Sequence, residues 1–261
     1  AITSKGQEAV FCGSVSPSIE GPPPHPDPRS TFVCKISTAC DCPLWAFTYP
    51  VSPAEDMGTG IQWREGGDVV VTGVTPDDAY FLSIDSSDGA VLEAREYEGL
   101  QLSDVVEFLE PNNPDGESTL CFAGRRPAGG IDSATLMLTD SHGVPSINML
   151  YNVDNDAAAS SVTPCYEAHG QSGDGFFAVG STPQTLFTPP YFQHWIRTDT
   201  DLSTGCLEES YSQAHTPLTI DPEVFPLNLA AIDGVSDLDI AFTDSPYTQE
   251  PLCPEDGFTA L

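Results

Sequence analysis

The stretch Asp199-Thr200-Asp201-Leu202-Ser203-Thr204-Gly205 sets oxygen donors at alternate positions and closes on a glycine. That pattern suits a hard cation such as calcium. Alternate side chains point to one side of a turn, and glycine permits the bend that gathers them. Asp199, Asp201 and Ser203, with Glu208 and Glu209 just beyond, form a candidate calcium set. The match to an EF-hand loop is imperfect, because the glycine stands one place late and Ser210 occupies the closing position. The competing reading is a helix start, capped by Ser203 and flanked by acids that suit its dipole. Asn152-Val153-Asp154-Asn155-Asp156 is a second oxygen-rich turn, with Asp154 and Asp156 as candidate ligands. Asp237 and Asp239 alternate with Leu238 and Ile240, as on the wet face of a strand, and could chelate a cation across strands.

A different chemistry is written in Tyr191-Phe192-Gln193-His194-Trp195-Ile196-Arg197. In an extended chain Tyr191, Gln193, Trp195 and Arg197 share one face. Flat rings beside amide and guanidinium groups can stack on a sugar and bind its hydroxyls. The same residues are favoured anchors in protein interfaces. Signatures of catalysis are missing. There is no G-x-S-x-G; Gly170-Gln171-Ser172-Gly173-Asp174-Gly175 spaces its glycines wrongly for a nucleophile elbow. D-[ST]-G, H-E-x-x-H, P-loop and G-x-G-x-x-G patterns do not occur. His25, His142, His169, His194 and His215 show no metal-ligand spacing. No recognisable catalytic motif favours an enzyme, without deciding against one, and no nucleotide or redox cofactor is expected.

Eight cysteines run from end to end: Cys12, Cys34, Cys40, Cys42, Cys121, Cys165, Cys206 and Cys253. No C-x-x-C pair occurs, which argues against a zinc ribbon. The even count predicts mostly disulfides in an oxidising compartment, with Cys40 and Cys42, flanking Asp41, assigned to two separate bridges.

Positioning such groups requires a frame, and the frame reads as mainly β. Asp68–Val74 and Ala79–Asp85 are β-branched or aromatic runs around the turn Thr75-Pro76-Asp77-Asp78. Ser118–Ala123, Ala134–Leu138, Ile147–Val153, Gly175–Val179 and Leu238–Phe242 repeat the pattern. Antiparallel, sandwich-like sheets braced by disulfides follow. Leu102, Val105, Val106 and Leu109 fall at helical spacing before Pro111, and Leu207–Ala214 follows a turn, so one or two short helices are expected. An α+β arrangement is the alternative. Residues 1–57, with Gly21-Pro22-Pro23-Pro24-His25-Pro26-Asp27-Pro28, read as an irregular Cys- and Pro-rich arm. Residues 58–261 read as the β-rich body, with a subdomain split near 160 as an option.

Charge bounds the function. The chain carries 39 acidic residues against 8 basic ones, a net charge of −31. Nucleic acid and anionic membrane surfaces need a basic footprint and are excluded as partners. Repulsion among unpaired carboxylates opposes compaction unless salt or divalent cations screen it. No apolar run reaches the roughly 18 residues of a membrane span. The chain begins at Ala1, as one trimmed of a secretory leader would. The expectation is therefore a secreted, extracellular, salt-adapted structural or surface protein, stabilised by disulfides and calcium, that assembles with itself or with partner subunits. The alternative is a secreted carbohydrate-binding module or glycan-acting hydrolase with 191–197 as its platform.

Overall fold

The computed structural model describes residues 1–15, 29–40, 42–108, 118–128, 130–151, 157–165, 175–182, 192–205 and 208–225. Strands follow one another in sequence and are grouped by sheet. β1 (Ile2–Lys5), β2 (Glu8–Val15), β3 (Ser30–Ser37) and β4 (Cys42–Tyr49) pair in order as sheet 1. β5 (Met57–Trp63), β6 (Val69–Val74), β7 (Ala79–Ile84) and β8 (Val91–Tyr97) make sheet 2. β9 (Gln101–Phe108), β10 (Thr119–Ala128), β11 (Ile131–Thr139) and β12 (Pro145–Tyr151) make sheet 3. β13 (Ala158–Cys165), β14 (Gly175–Thr182) and β15 (Phe192–Thr198) make sheet 4. The chain then runs back across the molecule. β16 (Glu208–Ser210) adds to the β12 edge of sheet 3, β17 (His215–Pro217) to the β8 edge of sheet 2, and β18 (Glu223–Val224) to the β4 edge of sheet 1. Every strand pair is antiparallel.

The four sheets stack with three apolar layers between them. Val10, Val33 and Tyr49 of sheet 1 meet Ile61, Trp63, Val71 and Leu82 of sheet 2. The other face of sheet 2, with Val70, Phe81 and Tyr97, meets Leu102, Val105, Phe122 and Met137 of sheet 3. The other face of sheet 3, with Cys121, Leu136 and Tyr151, meets Val162, Phe176, Ala178 and Ile196 of sheet 4. Sheets 2 and 3 are thus covered on both sides. This explains the unbroken apolar runs Val69-Val70-Val71 and Ala79-Tyr80-Phe81-Leu82, where a half-buried strand would alternate. Fully burying each such side chain contributes roughly 1.5–3 kcal/mol before entropy is charged.

The mainly β, antiparallel reading holds, and four findings revise its details. Residues 101–108 form β9, not a helix, and 208–210 form β16, followed by irregular chain to Ala214. No helix occurs among the described residues. The helical spacing in β9 comes from a bulge opposite Ala123 and Gly124, where Asp104 pairs Ala123 but Leu102 pairs Gly124. The extra residue, Ser103, lets Leu102 and Val105 face the same layer although they lie three apart. Val106, on the opposite face, still meets an apolar layer. Gly124 is required there, because a Cβ would lie 2.2 Å from the Gln101 carbonyl oxygen.

Residues 1–57 supply β1–β4 where an irregular arm was expected; the proline run at 21–28 and the expected strand 238–242 lie outside the described residues. The fold is also not braced by long-range disulfides among the described residues. Cys40 bonds to Cys42 rather than each joining a separate partner. Cys12, Cys34 and Cys121 are buried thiols. Cys12 opposes Val33 and Cys34 opposes Phe11, so those two point to opposite faces of sheet 1. Cys165 ends β13, and Cys206 and Cys253 lie outside the described residues. Desolvation raises the pKa of all three buried thiols, that of Cys34 to about 11. They serve as small apolar packing groups.

Candidate functional site

Sheet 4 closes one end of the stack. Its inner face holds Val162, Phe176, Ala178 and Ile196, so the register dictates what points outward. Val179 pairs Trp195, Phe177 pairs Arg197, and Thr163 pairs Phe177 across the neighbouring ladder. All five lie on the outer face. Trp195 is 59% exposed and meets Phe177 edge-on, with ring centroids 6.0 Å apart. An exposed indole flanked edge-on by a second ring, with Arg197 on the same face and the Thr163 hydroxyl two strands away, forms a flat amphipathic platform. It can stack on a sugar ring or anchor a protein side chain. The backbone of Gln193 falls on the same face, opposite Ser181. Tyr191 lies outside the described residues.

The strand leaves this face through a turn that holds the proposed cation ligands. Asp199 Oδ1 accepts hydrogen bonds from the N–H of Asp201 at 2.9 Å and of Ser203 at 2.8 Å. Ser203 Oγ donates to Glu208 Oε1 at 2.7 Å, and Thr204 donates from both its N–H and its hydroxyl to Glu208 Oε2. Partial burial opposes ionisation of Glu208, but the bonds from Thr204, Ser203 and Gly205 outweigh it and hold its pKa below the usual glutamate value. Leu202 takes a left-handed backbone, with φ of 62°, and its buried side chain pins the turn to the core. Tyr151 Oη donates to the Leu202 carbonyl at 2.5 Å.

Asp199, Asp201 and Ser203 thus lie in one turn, and Glu208 at the start of β16 is hydrogen-bonded to it. Glu209 is exposed on β16 opposite Leu150. In this loop the Asp199 and Glu208 carboxylates turn toward the loop's own donors. Among the described residues no group of three or more His, Cys, Asp or Glu side chains is placed to hold a metal ion. Asp154, Asp156, Asp237 and Asp239 lie outside the described residues.

The opposite end of the stack is the outer face of sheet 1. Ile2, Phe11, Phe32, Cys34 and Ala46 lie on it by register, and Phe225 follows β18 onto it, meeting Phe32 edge-to-face with centroids 5.0 Å apart. The outward residues of β1–β4 include no charged side chain. Ile2 is 69% and Leu44 48% exposed near this face. Sequence reading missed it because β1–β4 were not seen as strands.

Also missed was a shallow hollow of about 310 Å³ lined by Lys5, Trp63, Arg64, Glu65 and Glu107 among others. The Arg64 guanidinium is engaged on every side. Arg64 meets Asp68 at 2.8 Å and Glu107 at 3.4 Å, and donates to Ser118 and the Ser141 carbonyl. Lys5 Nζ donates to the carbonyls of Arg64 and Glu65. The hollow is an ionic clamp between sheets 2 and 3.

A scan against protein-family models matches none of them, and a search of curated proteins returns no match for this chain. No helix among the described residues is long and apolar enough to cross a membrane.

Proposed function

We propose that this chain is a secreted, acidic structural or surface protein that assembles, with itself or with partner subunits, through the two end faces of its sheet stack. One observation carries the reading: Trp195 stands 59% exposed on a sheet face already furnished with Phe177 and Arg197. Tryptophan and arginine at the centre of a surface patch are what interface hot spots are made of. The outer face of sheet 1 adds support. On a chain of net charge −31, the outward side chains of β1–β4 carry no charge, and Glu223 of β18 sets a carboxylate at the edge of that face. Calcium enters this reading as a counter-ion for the acidic surface and for the 199–209 loop, and its support is the charge and the clustered oxygens.

The test is solution mass by light scattering in salt with millimolar calcium, repeated after EDTA at matched ionic strength, for the native chain and for Trp195→Ala. Assembly predicts an oligomer that Trp195→Ala weakens and chelation dissociates. A monomer in all conditions overturns it. A second reading, glycan binding, is favoured by the Trp195–Phe177 pair beside Arg197 and Thr163. It predicts retention on an immobilised polysaccharide that Trp195→Ala abolishes without change in folding.

A further inference from the structure

The turn joining β3 to β4 carries the Cys40–Cys42 disulfide, with one residue, Asp41, between the two half-cystines. Three observations separate it from a structural brace. First, a cross-link restricts the unfolded chain by an amount that grows with the logarithm of the loop it closes, and this loop is close to the shortest available. Second, the turn is already closed without it. Ser37 pairs Cys42 in the ladder, the Thr38 N–H donates to the Gln7 carbonyl at 2.8 Å, and the Ala39 N–H donates to Ser37 Oγ at 3.3 Å. Third, the bond is open to attack, since Cys40 is exposed and Cys42 half-buried. Of the other described cysteines Cys165 is half-buried, whereas Cys12, Cys34 and Cys121 are 6%, 1% and 0% exposed. Their raised thiol pKa values keep them out of exchange chemistry.

We propose that Cys40–Cys42 is a thiol–disulfide exchange site whose substrate is a dithiol without negative charge. One thiolate of the dithiol attacks a sulfur of the pair. The Cys40–Cys42 bond breaks, a mixed disulfide forms, and the other cysteine leaves as a thiolate that takes up a proton. The second thiol of the substrate, once deprotonated, attacks its own sulfur in the mixed disulfide. It closes the substrate's disulfide and releases the remaining cysteine as a thiol. Two electrons and two protons pass from the dithiol to the pair, and the reverse path oxidises it again. The sign of the substrate follows from the surroundings. The chain has net charge −31, Asp41 stands between the two cysteines in the sequence, and Lys35 of β3 is turned inward to Glu8 at 2.9 Å and the Ser86 carbonyl. An anionic thiol is therefore repelled as it approaches.

The test uses the whole native chain. Dithiothreitol followed by alkylation and mass mapping should label Cys40 and Cys42 within minutes, with Cys12, Cys34 and Cys121 unlabelled and the melting temperature lowered by no more than about 3 °C. Initial reduction by cysteamine should outpace that by glutathione by about tenfold at low salt, after correction for thiolate fraction, and the ratio should fall toward one at 1 M salt, where the Debye length is about 3 Å. The double variant Cys40→Ser, Cys42→Ser should melt with the native chain. A bond that resists dithiothreitol until denaturant is added overturns the proposal. So does a melting temperature that drops by about 10 °C or more on reduction or in the double variant, and so does equal reactivity toward the two monothiols.

Discussion

Asp56 shows how a single buried carboxylate sets a pH dependence. It has no exposed surface and accepts hydrogen bonds from the N–H groups of Thr31, Val51 and Ser52. Burial pushes its pKa up, and these bonds, with one from the Thr31 side chain, only partly offset the shift. In the unfolded chain an aspartate titrates near 3.9. As pH rises past about 4, the unfolded state ionises first and gains free energy that the folded state does not. The stability tied to Asp56 is therefore greatest in acid and is lost as pH climbs through the folded value. Native carbon NMR should find its carboxyl inflection above 3.9, and the difference in unfolding free energy between native chain and Asp56→Asn should narrow as pH rises. Asp56→Asn should still be less stable at acid pH, because its amide nitrogen must face an N–H donor.

Trp195 is the opposite case. Its ring lies outside every apolar layer, so Trp195→Ala should move the unfolding midpoint by no more than about 0.5 kcal/mol equivalent, while weakening assembly or, on the second reading, abolishing glycan retention. Lys35 is buried against Glu8, with its ammonium 5.3 Å from the centroid of the Trp63 ring. Lys35→Ala leaves Glu8 without that partner and should cost roughly 2–4 kcal/mol in denaturant unfolding, less than a fully buried pair because Glu8 is partly solvated.

At the scale of elements, the sequence was legible where strands are buried on one clear pattern and misleading where a bulge intervened. β6, β7, β10, β11, β12 and β14 were visible as β-branched or aromatic runs between turn residues. β9 was read as a helix because Ser103, the bulged residue, converts a period of two into an apparent step of three, and because both faces of sheet 3 are covered. No local pattern distinguishes that from an amphipathic turn. The test of the bulge is Gly124→Ala, whose Cβ meets backbone rather than a yielding side chain. It should destabilise by about 1–3 kcal/mol or more, read as a lower midpoint in urea with an unchanged slope. Of the candidate sites, the outward face of 195–197 was legible because alternation alone fixes it. The turn at 199–205 was legible as a cluster of oxygens. That two of its carboxylates serve its own backbone and hydroxyls was not, since this depends on how Leu202 is anchored beneath Tyr151. The pairing of Cys40 with Cys42 was likewise invisible, as an even count of cysteines says nothing of which sulfurs meet.

For the whole molecule, the net charge of −31 and the four-layer stack act against each other. With 39 acidic residues against 8 basic ones most carboxylates have no cationic partner, so added salt should stabilise the fold until repulsion is screened. The unfolding midpoint should rise steeply between about 0.01 and 0.15 M salt, where the Debye length shrinks from about 30 to 8 Å, and level off beyond. A flat response would mean that the acids are spaced too widely to repel. The returning segment 208–224 holds the stack from the side. It adds one edge strand to each of sheets 3, 2 and 1 in turn, helped by Ile220 in the first apolar layer and by Tyr211, whose ring lies 4.5 Å from the Arg126 guanidinium. That lacing has a meaning in time as well as in space. On the ribosome the strands emerge in order, and each of the first three sheets can pair its own neighbours as soon as it is made. Yet the edges at β12, β8 and β4 stay bare until residues 210, 217 and 224 respectively are out, and they are closed in the reverse of the order in which they were born. The nascent protein thus carries three adhesive borders through most of its synthesis, and crowded ribosomes making it are where its strands are most exposed to pairing with the wrong chain.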